Sequence, residues 1–369
     1  MGRRVQPPSY DRRVASRSRR HHLLPQFYLR GFADKRSQLR QVWLPGNRSA
    51  TIAVTDASVI KDFNTISVEV DGDTWVTDGW EQRLAELEAI AARAFDAVLR
   101  RREWPVSGEA REGLALFAAL QHLRSQHLRV AQMNVAAQVI LLQTGLSGIE
   151  KLRQVMEAGL ARSVADDELE AEWVDLTRPG GPTMAPDPAF HFETVERLLP
   201  GLTAQFADSG MVLWRFQRRS LITSDSPVFL MRHEGDGVWA GSGVGLATAA
   251  AFVMPLDRRT GLMITQPGMR HTLGDPSAAL ARSINSATIG GARRWLLHHP
   301  ADAAVLDGVD LHDPVEQEVT SSFDSSMVQR DRPTAPAGRV PHAPMGDSMG
   351  HYTWPIPGRV FVNPFAPSS

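Results

Sequence analysis

The chain has 369 residues, 43% of them hydrophobic and 22% charged, which is the composition of a folded globular protein. The formal net charge of −1 excludes a global basic field for coating nucleic acid, and the absence of cysteine excludes disulfides, thiolate catalysis and cysteine-ligated zinc. No apolar run reaches the roughly 18 residues of a membrane helix, and no apolar segment follows the basic N-terminus as in a signal peptide. We therefore expect a cytoplasmic protein without a membrane partner.

Charge is unevenly distributed at the start of the chain, because residues 1–20 contain seven arginines and one aspartate. The segment has no apolar periodicity, and its only aromatic residue is Tyr10. It is predicted to be a basic, disordered arm, and a nucleic-acid-binding tail is the alternative. The partner is therefore either a small molecule or a nucleic acid.

The first element is a short helix predicted directly after His21 and His22. Pro25 suits the first helical position and Gly31 the helix end. Apolar residues recur every four positions and form one stripe for docking on a core, namely Leu24, Tyr28 and Phe32. The helix thus holds the two histidines in place. Because neighbouring side chains diverge, one is expected to face a site while the other packs; a histidine that only bonds the backbone is the alternative.

The elements that follow predict an α+β fold with long antiparallel helices, a small mainly antiparallel sheet and an irregular C-terminal tail. A hairpin is predicted from 39–44 and 51–54, and helices are predicted at 77–102, 107–145, after Ser147 and at 186–208. The apolar period then changes, and short strands are predicted at 211–216, 221–223, 228–231, 249–254 and 262–265, followed by a helix at 277–298.

The domain organisation follows from these elements. Residues 1–20 form the basic arm, and residues 21–305 form a single domain. Its helical half is about 77–208 and its sheet half about 211–300. Residues 306–369 form a Pro/Ser-rich tail without apolar periodicity.

Two carboxylates on the first long helix are candidates for chemistry. Glu81 and Glu88 are seven residues apart, so they lie within roughly 20° of each other around the helix. Leu84 and Ala85 share that face, and a carboxylate beside them needs a partner, a proton or a metal ion. For Glu81 the alternative is a solvated first-turn acid that is stabilised by the helix dipole.

The second long helix also has polar residues on a stripe that is otherwise apolar. Gln121 and Arg124 lie on the stripe that Leu114 and Phe117 begin, so Arg124 is the expected partner of Glu88. Such a pair either fixes the register of the two helices or clamps a substrate anion.

The opening histidine stretch resembles a known family. Residues 21–29 match the signature His-His-x-x-Pro-x-Phe-Tyr-Leu of the domain of unknown function 4238 family. The likeness continues through Trp80-Glu81 to Glu88, through Gln121 to Arg124 and through Thr223 to Pro227, which together span roughly residues 21–300. The resemblance implies a shared site at these positions and supplies no reaction.

Two functions remain open. The first is a hydrolase-like enzyme, either metal-assisted or acid/base, that acts on a phosphate-bearing substrate. Its candidate catalytic residues are His21, His22, Glu81, Glu88 and Asp225, where Asp225 is delivered by a strand end or, alternatively, only forms a turn. Its candidate substrate-binding residues are Tyr28, Gln121 and Arg124. The second is a non-catalytic binding or regulatory module in which these residues form a buried polar network. The sequence identifies no cofactor, and any metal site would have to be assembled by the fold.

Overall fold

The computed structural model describes residues 20–70, 73–77, 79–179, 181–182, 188–233, 239–240, 249–267, 272–314 and 330. Of the expected arm at residues 1–20, only Arg20 is described, and it begins a strand; of the expected tail at residues 306–369, only 306–314 and 330 are described. Within the described residues the α+β fold is confirmed, with sheets that are mainly antiparallel. No described helix is both long enough and apolar enough to span a bilayer.

Runs of strands alternate with runs of helices along the chain. The helices are α1 (Gln26–Leu29), α2 (Gly79–Phe95), α3 (Gly108–Leu123), α4 (Gln126–Ser147), α5 (Ile149–Leu160), α6 (Asp166–Thr177), α7 (Pro188–Asp208) and α8 (Ala278–Gly291). The strands are β1 (Arg20–His22), β2 (Gln38–Trp43), β3 (Arg48–Ala53), β4 (Val59–Lys61), β5 (Ile66–Val70), β6 (Asp73–Thr77), β7 (Ser209–Arg215), β8 (Thr223–Ser224), β9 (Phe229–His233), β10 (Trp239–Ala240), β11 (Ala251–Asp257), β12 (Thr260–Pro267), β13 (Thr272–Leu273) and β14 (Trp295–His298). Single turns of 3₁₀-helix at Arg30–Phe32 and of π-helix at Asp96–Arg100 extend α1 and α2.

The chain divides into two compact units. The larger comprises Met1–Ser67, Trp75–Arg129 and Asp187–Glu316, and the smaller comprises Val68–Thr74, Val130–Pro186 and Gln317–Ser369. In the larger unit, one sheet has the strand order β10-β9-β11-β12-β7-β13 and another has the order β3-β2-β14-β8, while β1 pairs with β4. Only the β13–β7 pairing among these described strands is parallel.

The core of the larger unit is built around α1. The predicted stripe Leu24, Tyr28 and Phe32 is fully buried, as the four-residue spacing requires. The Tyr28 ring contacts Phe95 at the end of α2 and Phe117 on α3, with centroid distances of 6.0 and 5.2 Å. The short helix is therefore fastened to both long helices, and the two histidines that precede it are held against them.

The smaller unit has its own apolar core between α5 and α6. Its buried side chains are Leu152, Val164, Leu169, Trp173 and Leu176. The sequence analysis did not predict α6, because its three first-turn acids and scattered apolar residues give a weak helical stripe. Arg330 also belongs to this unit. It forms an ion pair with Glu170, and its carbonyl accepts a hydrogen bond from the Ile149 N–H.

The predicted helix at 107–145 is wrong in its continuity. It is two helices, α3 and α4, that break at Arg124 and Ser125, where Arg124 has φ −85° and ψ 2°. Ser125 accepts a hydrogen bond from the Leu128 N–H at 3.2 Å, so it caps the start of α4. The break allows the Arg124 side chain to leave the helix end and reach its partners.

The predicted helix at 277–298 is also wrong in its second half. The helix ends at Gly291, after two glycines that disfavour its continuation, and Trp295–His298 forms β14. This strand pairs with β2 on one side and β8 on the other. Leu296 and Leu297 are both fully buried, and a strand buried on both faces has a continuous apolar run that looks like part of a helix.

Candidate functional site

The strand β1 separates the two histidines. It pairs antiparallel with β4, with His21 opposite Ile60 and His22 opposite Val59. Successive side chains of a strand point to opposite faces. His21 is consequently buried, with 1% of its surface exposed, whereas His22 lines a cleft.

The cleft has a volume of about 270 Å³ and lies between the opening segment and α2. Its lining residues are His22, Pro25, Gln26 and Phe27 on one side and Glu81, Leu84, Ala85 and Glu88 on the other. The α2 residues are spaced i, i+3, i+4 and i+7, which is one face of a helix. The cleft thus brings together three of the candidate catalytic residues, His22, Glu81 and Glu88, and their chemical roles remain predictions.

Hydrogen bonds define the tautomer of His22. Its Nδ1 lies 3.2 Å from the Ala57 carbonyl oxygen, which only accepts, so Nδ1 carries the proton. On the other side of the ring, Gln26 Nε2 lies 3.4 Å from His22 Nε2, and Gln26 Oε1 accepts from the Arg30 guanidinium at 3.3 Å. Because arginine only donates, this bond orients the Gln26 amide with its NH₂ towards His22. Nε2 is therefore the unprotonated nitrogen.

Burial lowers the pKa of His22 below its ordinary value of 6.5. The bond to the Ala57 carbonyl and the charges of Glu88 and Glu81 act in the opposite direction and stabilise the protonated ring. His22 is accordingly neutral at pH 7, with two carboxylates close enough to stabilise an imidazolium when one forms.

Asn64 holds the carboxylate of Glu81, the other acid of the cleft, by a hydrogen bond. Its side-chain NH₂ donates to Glu81 Oε1 at 2.6 Å, and its backbone N–H donates to His21 Nδ1 at 2.7 Å. Glu81 Oε1 lies 3.9 Å from the same His21 Nδ1. Since that nitrogen accepts a hydrogen bond, it carries no proton, and the contact is not an ion pair. Neutral groups therefore hold the Glu81 carboxylate.

Glu88 is held by Arg124, as the sequence predicted. The Arg124 guanidinium donates to Glu88 Oε1 at 2.9 Å, to the Leu23 carbonyl at 2.6 Å and to Gln121 Oε1 at 3.4 Å. The Arg124 side chain is 7% exposed and the Glu88 side chain 25%. Arg124 and Gln121 lie behind the cleft wall and are not among its lining residues. The expected substrate-binding positions are therefore occupied by internal contacts.

Tyr28 is likewise enclosed. Its hydroxyl donates to the Pro255 carbonyl at 2.9 Å and contacts the Thr223 hydroxyl at 2.8 Å, and the side chain is fully buried. Burial raises the pKa of Tyr28. The predicted role in substrate binding finds no support in this position, because the apolar stripe that docks α1 also buries the ring.

Asp225 does not close the cleft either. Its two carboxylate oxygens accept the backbone N–H groups of Arg293 and Arg294, each at 2.9 Å. Burial raises the pKa of Asp225 to about 6, although both backbone bonds act to lower it. The side chain joins the turn after β8 to the start of the segment that leads into β14, which corresponds to the turn-forming alternative.

The region 20–302 matches a family described as a protein of unknown function (DUF4238). The chain belongs to the DUF4238 family. No curated protein and no solved structure matches this chain. The matched region of the DUF4238 chain contains every lining residue of the cleft together with Asn64 and Arg124.

The sequence analysis missed two residues of the DUF4238 cleft. Gln26 lies four residues before Arg30, a helical spacing that predicts their contact, whereas its contact with His22 crosses from α1 back to β1. Asn64 gives no such signal, because the turn after β4 brings it to Glu81 through tertiary structure. Among the described residues of this DUF4238 chain, no group of three or more His, Asp or Glu side chains is arranged to hold a metal ion.

Proposed function

We propose that this DUF4238 protein is a hydrolase-like enzyme that uses acid/base chemistry in the cleft, with His22 as the general base. The observation that carries the proposal is the fixed tautomer of His22. Its Nδ1–H is anchored on the Ala57 carbonyl, and its unprotonated Nε2 accepts a long hydrogen bond of 3.4 Å from the amide of the cleft residue Gln26. A neutral imidazole held in one orientation is the usual requirement for removing a proton from water.

The proposed steps use only groups of this chain. A water molecule replaces the Gln26 amide as the donor to His22 Nε2, and Nε2 removes its proton as the water oxygen forms a bond to the substrate. The resulting imidazolium is stabilised by the nearby negative charges of Glu88 and Glu81. His22 then gives the proton to the leaving group as the bond between that group and the attacked atom breaks, so that no net proton is stored.

The enclosed position of Arg124 bears on the substrate. A phosphate-bearing substrate was expected from an arginine beside acids, but its guanidinium already binds Glu88 and the Leu23 carbonyl. The lining residues include no lysine or arginine, so a nucleic acid is less favoured than a small molecule. The same enclosed network supports the second candidate, a binding module without turnover.

The experiment compares hydrolysis by the parent and three variants. His22→Gln and Glu81→Gln alter the cleft, and Glu86→Gln is the matched control, because Glu86 lies on the same helix with its side chain 68% exposed. Each is assayed on chromogenic esters, amides, phosphodiesters and glycosides, and each melting temperature is recorded.

We expect turnover by the parent to fall at least ~100-fold in His22→Gln and to persist in Glu86→Gln. The pH profile of kcat/KM should show an acidic limb below pH 6.5, because burial lowers the pKa of His22. Equal turnover by His22→Gln and the parent contradicts the proposal. No turnover by the parent, together with a cleft ligand that raises its melting temperature, favours the binding module.

A further inference from the structure

The walls of the cleft carry charge of one sign. Of its lining residues, Glu81 and Glu88 are acidic and none is lysine or arginine. His22 is neutral as long as its Nε2 carries no proton. The two acids differ in how their charge is balanced. Glu88 is paired with the guanidinium of Arg124 at 2.9 Å, which cancels its charge from behind the wall.

The charge of Glu81 has no such balance. Its hydrogen-bond donor is the neutral amide of Asn64, and the nearby His21 nitrogen is an acceptor. No lysine or arginine in the part of the chain that the structure describes pairs with Glu81, whose side chain is 36% exposed. The cleft therefore presents to whatever enters it a carboxylate that Asn64 and the first turn of α2 stabilise and that no lysine or arginine of the described residues neutralises.

We propose that the cleft binds a small organic cation through a primary ammonium group, with Glu81 as the acceptor. The proposal rests on the proposed function in that it names the substrate class of the same cleft. Three N–H donors of an ammonium suit a carboxylate that already accepts one hydrogen bond. Phe27 adds apolar surface to the lining, and its ring is fixed by edge-to-face contacts with Phe95 and Phe117.

The remaining walls determine the size and polarity of the ligand. Pro25, Phe27, Leu84 and Ala85 supply apolar surface beside the acids. A volume of about 270 Å³ lies just below the range of about 300–1,000 Å³ that is usual for small-molecule pockets, so the ligand is small. An alkylammonium of a few carbons matches the cleft in size and in polarity, with its chain against the apolar wall and its nitrogen at Glu81.

The test uses n-butylammonium chloride and sodium butyrate as probes of equal length and opposite charge. Each is titrated into the full-length protein at constant ionic strength, and the amide signals of the cleft segments 22–27 and 81–88 are followed by NMR. The same titrations are made on Glu81→Gln, Glu86→Gln and His22→Gln. A zinc chloride titration of the parent tests the metal alone.

We expect saturable shifts with butylammonium and none with butyrate. Affinity should fall ~10-fold or more in Glu81→Gln and stay unchanged in Glu86→Gln. Binding of butyrate at least as tight as that of butylammonium, or no saturable shift with butylammonium, overturns the proposal. Zinc-induced shifts without butylammonium binding also overturn it. The two-probe comparison on the parent decides the question if Glu81→Gln does not fold.

The test of cation binding can fail or succeed independently of the test of turnover. If His22→Gln retains butylammonium affinity while no substrate is turned over by the parent, the enzyme fails and the cation site stands. If turnover depends on His22 but butylammonium does not bind, the cation site fails and the enzyme stands.

Discussion

Replacing Arg124 by methionine tests whether the Glu88–Arg124 pair joins the two long helices. The substitution removes three hydrogen bonds, to Glu88, to the Leu23 carbonyl and to Gln121. It leaves a partly buried carboxylate without a cation. Removing one partner of a buried pair costs about 3–5 kcal/mol, and the 25% exposure of Glu88 places the expected loss near the lower value, about 3 kcal/mol.

The assay is urea unfolding followed by the fluorescence of the nine tryptophans. Adding Glu88→Gln to Arg124→Met should recover about 1 kcal/mol, because the uncompensated charge disappears. The control cycle is Arg83→Met with Glu86→Gln, an exposed pair on the same helix whose coupling should stay below about 0.5 kcal/mol. Additive effects at Glu88 and Arg124, within about 0.5 kcal/mol, would refute the reasoning.

Two further predictions concern buried polar groups. Burial lowers the pKa of His122 from 6.5 to about 4, so the unfolded chain binds the proton more tightly and stability falls as the pH drops from 6.5 to 4. The loss is about 3 kcal/mol at 1.36 kcal/mol per pKa unit, and His122→Gln should flatten this part of a pH series of urea midpoints; an unchanged slope would count against it. Asn64→Ala removes the bond to Glu81 but keeps its own backbone bond to His21, so we expect a loss of about 1–2 kcal/mol in urea unfolding. A loss below about 0.3 kcal/mol would show that the amide does not hold Glu81.

Two contacts near the cleft could be predicted from helical spacing alone. The four-residue recurrence of Leu24, Tyr28 and Phe32 predicted the docking of α1, and a polar residue on an apolar stripe predicted the contact of Glu88 with Arg124. Both follow from local geometry, because a helix relates residues three and four apart without knowledge of the rest of the chain.

The other features depend on distant partners. Asn64 meets Glu81 only because β1 pairs with β4 and sets the following turn against α2. Asp225 was expected in the cleft, but its backbone partners lie about 70 residues further along the chain and are set by the pairing of β8 with β14. Nothing in the local pattern around either residue identifies these partners.

The position of β14 has a consequence for synthesis on the ribosome. The hairpin β2–β3 leaves the exit tunnel early, yet the strand that completes the other edge of β2 is made roughly 250 residues later. Closing a loop of that length costs about 5 kcal/mol of chain entropy by the logarithmic rule. Until β14 has been synthesised, the nascent hairpin therefore has an unpaired edge, which is open to other strands and to chaperones. The last described strand of the matched family region thus joins the sheet that the hairpin β2–β3 begins.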